Sequence, residues 1–400
     1  MGVNRGKCLG ASNNSKYRIA IIGAGASGSI CAYFLQKEGF DVTIFDKATP
    51  LRTLLPTGGG RCNLAHAEYD FKELAKNYPR GEKFLYSVFS KFSTYETLAL
   101  FEELGIETYT QEDERIFPTS NSSKEVRNKI LESIKTCKIV QEEVFNIEKL
   151  ENGFKINSWK VPSINNKKSC EYFFSHVVIA IGGHSKFEFL KNFNIDIIPP
   201  KPSLVGLNTK EKFNDISGVV VNNAKCNNIV GDLLFTHFGI SGPLTYKISS
   251  INAREKFPYK LIIDLYPHEI DLQTLLNTNP HKDVKNILSK ILPIGLVKSL
   301  LADIAEVKAH NIDGKTRDFI LNKIHNLELT ILGTNKGEET VTAGGINLNE
   351  VNSKTMELKK YQKMYCIGEA LDIDGFCGGY NLQNAWSTAY IASRGITEDF

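Results

Sequence analysis

Six residues near the start of the chain, Gly23-Ala24-Gly25-Ala26-Ser27-Gly28, fit the pattern G-x-G-x-x-G. That spacing suits a dinucleotide pyrophosphate. The first glycine turns the chain, the second lets phosphate approach the backbone, and the third lets a helix pack on a strand. A helix starting there offers unpaired N–H groups and the positive end of its dipole. Asp46 follows at the distance where a carboxylate accepts ribose hydroxyls. An acid at that place disfavours a 2′-phosphate, so bound NADP is not expected. These residues alone do not separate NAD from FAD.

Two further glycine blocks bear on that choice. Thr57-Gly58-Gly59-Gly60-Arg61-Cys62-Asn63 places three consecutive glycines beside fixed donors. Such a run is entropically costly and makes sense where backbone passes close to something flat or charged. Cys366-Ile367-Gly368-Glu369-Ala370 and Asp374-Gly375-Phe376-Cys377-Gly378-Gly379-Tyr380-Asn381-Leu382-Gln383 lie near the end. Glycine-rich backbone entering a helix is an anion site. Amides aimed at N1 and O2 of a flavin would stabilise the charge of its reduced form. The competing readings are a flexible loop for the first block and a plain turn before an amphipathic helix for the second.

The elements that must position these residues can be read from the apolar pattern. Arg18–Ile22 is a short buried strand, Ser27–Lys37 a helix and Asp41–Asp46 a second strand, together one βαβ unit. Phe71 to Lys135 reads as mostly helical. Lys138 to Trp159 and Glu171 to Phe174 read as strands, and Val177–Ile181 as another buried strand. Pro199, Pro200 and Pro202 open a different region. It is first β-rich (203–221, 233–235, 260–265) and then helical (283–292, 296–307, 316–327). A buried strand at Met364–Gly368 and a helix over 382–393 close the chain. The simplest account is one α/β domain interrupted by a long insertion.

Composition sets outer limits. The formal net charge is +3, which supplies no general field for nucleic acid or an acidic membrane. No apolar run approaches the ~18 residues of a membrane span. Residues 1–16 lack the apolar segment of a secretory signal and read as a disordered leader. Eight cysteines without C-x-x-C read as reduced, cytoplasmic usage. No cluster has metal-ligand spacing, so no metal is expected. Ser241-Gly242 lies outside any nucleophile elbow, which sets hydrolysis aside.

Taken together, the sequence resembles the BaiN/RdsA-like family of bacterial FAD-dependent oxidoreductases, which includes aminoacetone-oxidase-type proteins. The resemblance rests on Gly23-x-Gly25-x-x-Gly28, Gly58 to Asn63, Arg115-Ile116-Phe117-Pro118, Ala180-Ile181-Gly182-Gly183, Thr236 to Pro243 and Gly378-Gly379-Tyr380-Asn381. It implies a doubly wound Rossmann-like FAD-binding domain built from both chain ends (17–190 and 341–400). A β-barrel-like plus helical insertion (191–340) is implied between them. It places Gly23 to Gly28 at the pyrophosphate, with Asp46 standing where relatives usually carry Glu and Lys47 as its basic neighbour. Gly58, Gly59, Gly60, Arg61, Cys62 and Asn63 would approach the isoalloxazine, and Val144 would flank the adenine. Gly182 and Gly183 belong to a matching block. Gly368, Glu369 and Asp374 would lie near the ribityl and phosphates, and Tyr380 to Gln383 would face the flavin. Cys377 departs from the hydroxyl or small residue that relatives carry.

The expected activity is flavin-mediated hydride transfer to or from a small organic substrate. After Gly28 no second G-x-G-x-x-G follows. Electrons therefore come either from NAD(P)H docking transiently or directly from an oxidisable substrate. An amine or amino-ketone oxidase using dioxygen is the alternative, and a non-catalytic flavin-binding redox sensor is another. Neither a nucleic-acid nor a membrane partner is expected. Cys62 could be a redox thiol or a small packed hydrophobe. His237 could be a general acid or a packed turn residue, and Tyr380 a proton donor or a packed ring. Arg61 and Arg115 could clamp a carboxylate or brace loops. The insertion is expected to cover the flavin and wall the substrate site.

Overall fold

The computed structural model describes residues 17–161, 169–183, 186–335 and 341–399. The expectation for residues 1–16 lies outside that range. Two compact units emerge, Met1–Pro200 with Thr342–Phe400, and Lys201–Val341.

The first unit opens with β1 (Arg18–Ile22), α1 (Ala26–Lys37) and β2 (Asp41–Asp46). Four of the five β1 residues and four of the six in β2 are buried, as near-continuous apolar runs in a covered parallel sheet should be. β3 (Ala65–His66), α2 (Phe71–Ala75), α3 (Glu82–Phe89) and α4 (Thr94–Glu103) follow. Then come β4 (Thr108–Thr110), β5 (Arg115–Pro118) and α5 (Ser123–Ser133). The stretch expected to be mostly helical thus contains a three-stranded sheet, in the order β3-β5-β4. These strands are too short for alternation to stand out among helices. β6 (Lys138–Leu150), β7 (Gly153–Lys160) and β8 (Ser169–Phe174) form an antiparallel meander, and β9 (His176–Ile179) returns to the core.

β10 (Ile197–Ser203) leads to the second unit. Its strands are β11 (Leu207–Thr209), β12 (Val220–Cys226), β13 (Ile229–Thr236), β14 (Gly239–Ser241), β15 (Tyr259–Ile263) and β16 (Leu327–Thr334). They pair in the order β12-β13-β14-β11-β16-β15. Lys225 and Asp264 join the two edge strands through reciprocal backbone bonds of 2.8 Å. That junction closes the sheet into a barrel, which removes its free edges. α6 (Gly242–Ile251) was not legible, because Gly242-Pro243 reads as a turn; the proline occupies the first helical turn, where its missing N–H costs nothing. α7 (Leu272–Asn277), α8 (Val284–Leu288), α9 (Ile294–Leu301) and α10 (Gly314–His325) supply the helical part. Phe235, Ile263, Leu296 and Ile331 are among its core residues.

The chain returns through β17 (Val341–Ile346), which pairs with β10, and through β18 (Glu357–Leu358) and β19 (Tyr361–Cys366). α11 (Tyr380–Thr397) ends the fold. The main sheet runs β18-β19-β9-β1-β2-β6-β7-β8. β19, β9, β1, β2 and the start of β6 are parallel. β1 has β2 on one side and β9 on the other, so the strand order reverses there. In open α/β sheets the ligand crevice lies at that reversal, beyond the carboxyl ends of the strands. Gly23, Asp46, Ala180 and Ile367 all stand at those ends. α1 and α11 pack on the sheet, and Trp386 of α11 is fully buried, donating to the Leu64 carbonyl at 3.0 Å.

Candidate functional site

The three motif glycines do different things. Gly23 has φ +110°, and a Cβ there would fall 2.2 Å from the Ala180 carbonyl oxygen. A Cβ on Gly28 would fall 2.0 Å from the Gly23 oxygen. Both are glycine because the protein packs against them. Gly25 is different: a Cβ there would meet nothing within 4 Å. Gly25 is also the N-cap of α1 and brings no capping side chain. The first-turn N–H groups, at Ala26, Ser27 and Gly28, have no intrahelical acceptors, and the Cβ direction of Gly25 beside them is open. Ala24 is buried, and its N–H donates to Asp46 Oδ2 at 2.7 Å. Ala48 N–H donates to Asp46 Oδ1 at 2.7 Å. Those bonds fix the carboxylate, and each oxygen keeps acceptor capacity for a ribose hydroxyl. Lys47 is more exposed and pairs with Glu143 at 3.3 Å. Val144 lies half-buried on β6, opposite Ser158.

Gly58, Gly59 and Gly60 have φ values of +57°, +69° and +85°, a left-handed run that residues with side chains resist. Gly58 is packed against Asn63 and Phe117, whereas Gly59 and Gly60 face open space. Arg61 lies over the Phe117 ring at 4.1 Å and donates from Nε to the Gly58 carbonyl at 3.3 Å. It braces its own loop. Arg115 is paired with Asp113. Cys62 is fully buried, and burial pushes its thiol up to about 12. It is a packed small side chain and not a thiolate. With its amide turned so that nitrogen faces carbonyls and oxygen faces an N–H, Asn63 donates to the Ile116 and Ala65 carbonyls at 3.2 and 2.9 Å and accepts from the Gly379 N–H at 3.0 Å. It ties the first glycine block to the last.

Gly182 has φ +74°, and a Cβ on Gly183 would fall 2.4 Å from Thr342 Cβ. Glu369 accepts from the Thr342 N–H at 2.9 Å, which brings Gly182, Gly183, Thr342 and Glu369 together. Gly368 has φ +63° and lies against Ser27, and its N–H donates to Thr388 at 2.9 Å.

From Asp374 to Tyr380 the chain is clamped. The Asp374 carboxylate receives both a guanidinium Nε and an NH2 group of Arg80, and neither side chain is more than 10% exposed. The Phe376 N–H donates to the Asn77 carbonyl at 3.0 Å. The Asn381 amide makes a two-way pair with Gly375, at 2.8 and 2.9 Å. His66 Nδ1 lies 3.2 Å from the Gly378 carbonyl, and Tyr78 donates to the Tyr380 carbonyl at 2.6 Å.

Several expectations change at this clamp. The Asp374 side chain, expected near the ribityl and phosphates, is committed to Arg80. Gly379 has φ +97°, and a Cβ would fall 2.5 Å from the Ala65 backbone, so protein packing requires the glycine. Gln383 turns its amide inward to Thr97 and Ser387, at 2.8 and 2.9 Å. Leu382 is half-buried against the core. Helix geometry still leaves the N–H groups of Tyr380, Asn381 and Leu382 without intrahelical acceptors. His237 stands exposed at the turn between β13 and β14, in the second unit. Arg80, Tyr78 and His66 carried no sequence signal, since their partners lie 294, 302 and 312 residues away.

The residues present fit FAD. The Gly25 cradle and Asp46 suit the pyrophosphate and ribose, and the open faces of Gly59 and Gly60 suit a flat ring. A glycine turn at the reversal point of a parallel sheet that both chain ends complete is a Rossmann-type dinucleotide-binding architecture. Within that class, the chain belongs to the HI0933-like Rossmann family, whose model matches residues 17–395.

Curated relatives align over nearly their whole length. The ribosomal RNA dihydrouridine synthase of Haemophilus influenzae is 31% identical, covering 94% of this chain and 98% of its own. The 3-dehydro-bile acid delta(4,6)-reductase of Clostridium scindens is 28% identical, covering 95% of this chain and 99% of its own. Among solved structures, Escherichia coli quinol fumarate reductase superposes with a TM-score of 0.51 at 12% identity, covering 96% of this chain and 70% of that one. A flavocytochrome c3 fumarate reductase gives 0.50 at 13%, covering 97% and 79%. At such identities the likeness is one of fold.

Proposed function

We propose that this chain is an FAD-dependent reductase that saturates a carbon–carbon double bond conjugated to a carbonyl. The favoured substrate is a uracil ring in ribosomal RNA, and the favoured electron donor is NADH or NADPH. What carries the reading is the shared chemistry of full-length relatives. Dihydrouridine is uracil with its ring double bond saturated, and a 3-dehydro-bile acid Δ4,6-reductase acts on double bonds conjugated to a ketone. Bound FAD supplies two-electron hydride acceptance and donation. The chain's residues hold and orient it: α1 amides and Gly25 at the pyrophosphate, Asp46 at the ribose, and Gly59, Gly60 and the start of α11 toward the ring.

An RNA substrate revises the expectation drawn from charge. A net charge of +3 provides little long-range attraction, so recognition would rest on local contacts.

The test starts with cofactor released by acid from the purified protein and identified as FAD or FMN. NADH and NADPH are then tried separately for anaerobic bleaching of the flavin. Finally, ribosomal RNA from cells lacking the gene is incubated with protein and donor. Gain of two hydrogens on one uridine, by mass spectrometry of nucleosides, is the expected result. Oxidation of amines with peroxide release would favour the oxidase. Flavin that reacts with neither class would favour the sensor.

A further inference from the structure

We propose that Tyr380 is the proton donor of this reaction, its hydroxyl delivering a proton to the carbon next to the substrate carbonyl. The proposal rests on the double-bond reductase reading above. It begins from an unused valence. Tyr380 is only 5% exposed, yet its hydroxyl makes no hydrogen bond among the described residues. Among the described residues, Gln111 Oε1, Asn208 Oδ1, Gln383 Oε1 and Asn384 Oδ1 are fully enclosed side-chain atoms without a hydrogen bond. The Tyr380 oxygen is not among them, so it is unbonded but reachable. A buried ring with an open, accessible hydroxyl is built to meet a ligand.

Everything else about this side chain is held. Its ring lies 4.8 Å from His66 and 5.9 Å from Tyr78. A Cβ on Gly375 would fall 2.7 Å from Tyr380 Cβ, and one on Gly378 would fall 2.9 Å from its Cε2. Two of the glycines in this block therefore exist to admit the ring. Its carbonyl is fixed by Tyr78. Burial raises the phenol above its ordinary range, and Glu68 and Glu114 add to the effect. The group is consequently neutral, with its proton in place.

The step balances. Bound FAD would supply the hydride, drawn from the nicotinamide nucleotide, that adds to the β-carbon. The π electrons move to the α-carbon, where the Tyr380 proton forms the second C–H bond. The O–H bond breaks, and solvent reprotonates the phenolate. The substrate gains two electrons, and the nicotinamide nucleotide loses two.

Tyr380→Phe tests this, with Tyr78→Phe as the control. In the FAD-free chain, Tyr380→Phe should leave the thermal midpoint equal or higher, because it removes an unbonded hydroxyl. Tyr78→Phe should lower it, because it removes a bond. In the FAD-loaded protein, reduction by the donor should be unchanged in Tyr380→Phe. Reoxidation by the RNA substrate should slow roughly 100-fold or more, the range of a lost general acid. Reoxidation within threefold of wild type, equal slowing of both half-reactions, or a midpoint falling like that of Tyr78→Phe each overturns the assignment. If the wild type saturates no double bond, the reductase reading fails and takes the proton-donor role with it.

Discussion

Arg80→Met is the most exposing test of how the C-terminal block is built. Asp374 is completely buried, and Arg80 is the cation on its carboxylate. The substitution keeps much of the side-chain volume but leaves a carboxylate without its guanidinium. Breaking a buried pair from one side costs ~3–5 kcal/mol. The chain has one escape, which is to protonate the carboxyl. For an ordinary aspartate at neutral pH this costs ~4 kcal/mol, so the loss is capped near that value. The cap depends on pH. A carboxyl kept neutral in the fold is penalised less as pH falls, by ~1.4 kcal/mol per unit down to the aspartate range. Urea unfolding of FAD-free protein avoids stabilisation by the cofactor. Arg80→Met should lose ~3–4 kcal/mol near neutral pH and recover roughly half of it two pH units lower. The double variant Arg80→Met, Asp374→Asn should be more stable than Arg80→Met alone. A deficit below ~1 kcal/mol that ignores pH would refute the reasoning, because the pair would then be only a surface-grade contact.

Other perturbations separate roles that look alike in the sequence. Gly25→Val should abolish FAD binding while leaving the thermal midpoint of the FAD-free chain nearly unchanged, since its Cβ direction is open; stoichiometric flavin in that variant would contradict the cradle. Gly379→Val should instead unfold or destabilise the FAD-free chain by ~2 kcal/mol or more, through a clash with Ala65 and a disfavoured φ; a normally stable variant with only a shifted redox potential would contradict this. His176 is fully buried, and burial holds its imidazole down at about 4 despite the nearby Asp399. The unfolded chain takes up that proton near pH ~6.5 and the fold does not, so stability present above ~6.5 is lost as pH falls towards 4, by up to ~3 kcal/mol. Comparing urea unfolding of wild type and His176→Phe at pH ~7 and ~5 checks it, and the variant should lose ~2 kcal/mol less over that interval.

What was legible in the sequence was local. Gly23 to Gly28, α1 and Asp46 form one βαβ unit whose partners are about two dozen residues apart, so spacing alone could place them. The glycine run at 58–60 was legible as an anomaly, and its left-handed backbone explains why. The role of Arg61 was not, because Phe117, which it covers, lies in a three-stranded sheet hidden between helices. The clamp on Gly375 to Tyr380 was invisible for the same reason on a larger scale. His66, Tyr78 and Arg80 meet residues some 300 positions later, and no pattern within a short window encodes such a meeting. Gly379 shows a different limit. The sequence marks a glycine before a helix, and only the fold shows the Ala65 backbone, a distant segment, that its lack of a side chain admits.

The parallel sheet has a history as well as a shape. β1 is made early, but β19, which completes the sheet beside β9, and α11, which covers α1, come from the far end of the chain. At ~5–20 residues per second, a ribosome takes on the order of 20–70 seconds between them. During that interval the edge of β9 has no partner from β19, and Gly23 to Gly28 lack the helix that buttresses them. The barrel of the second unit is fully synthesised within the same interval, and its strands all pair with one another. The glycine turn that would hold the cofactor is therefore completed late in the synthesis of each molecule.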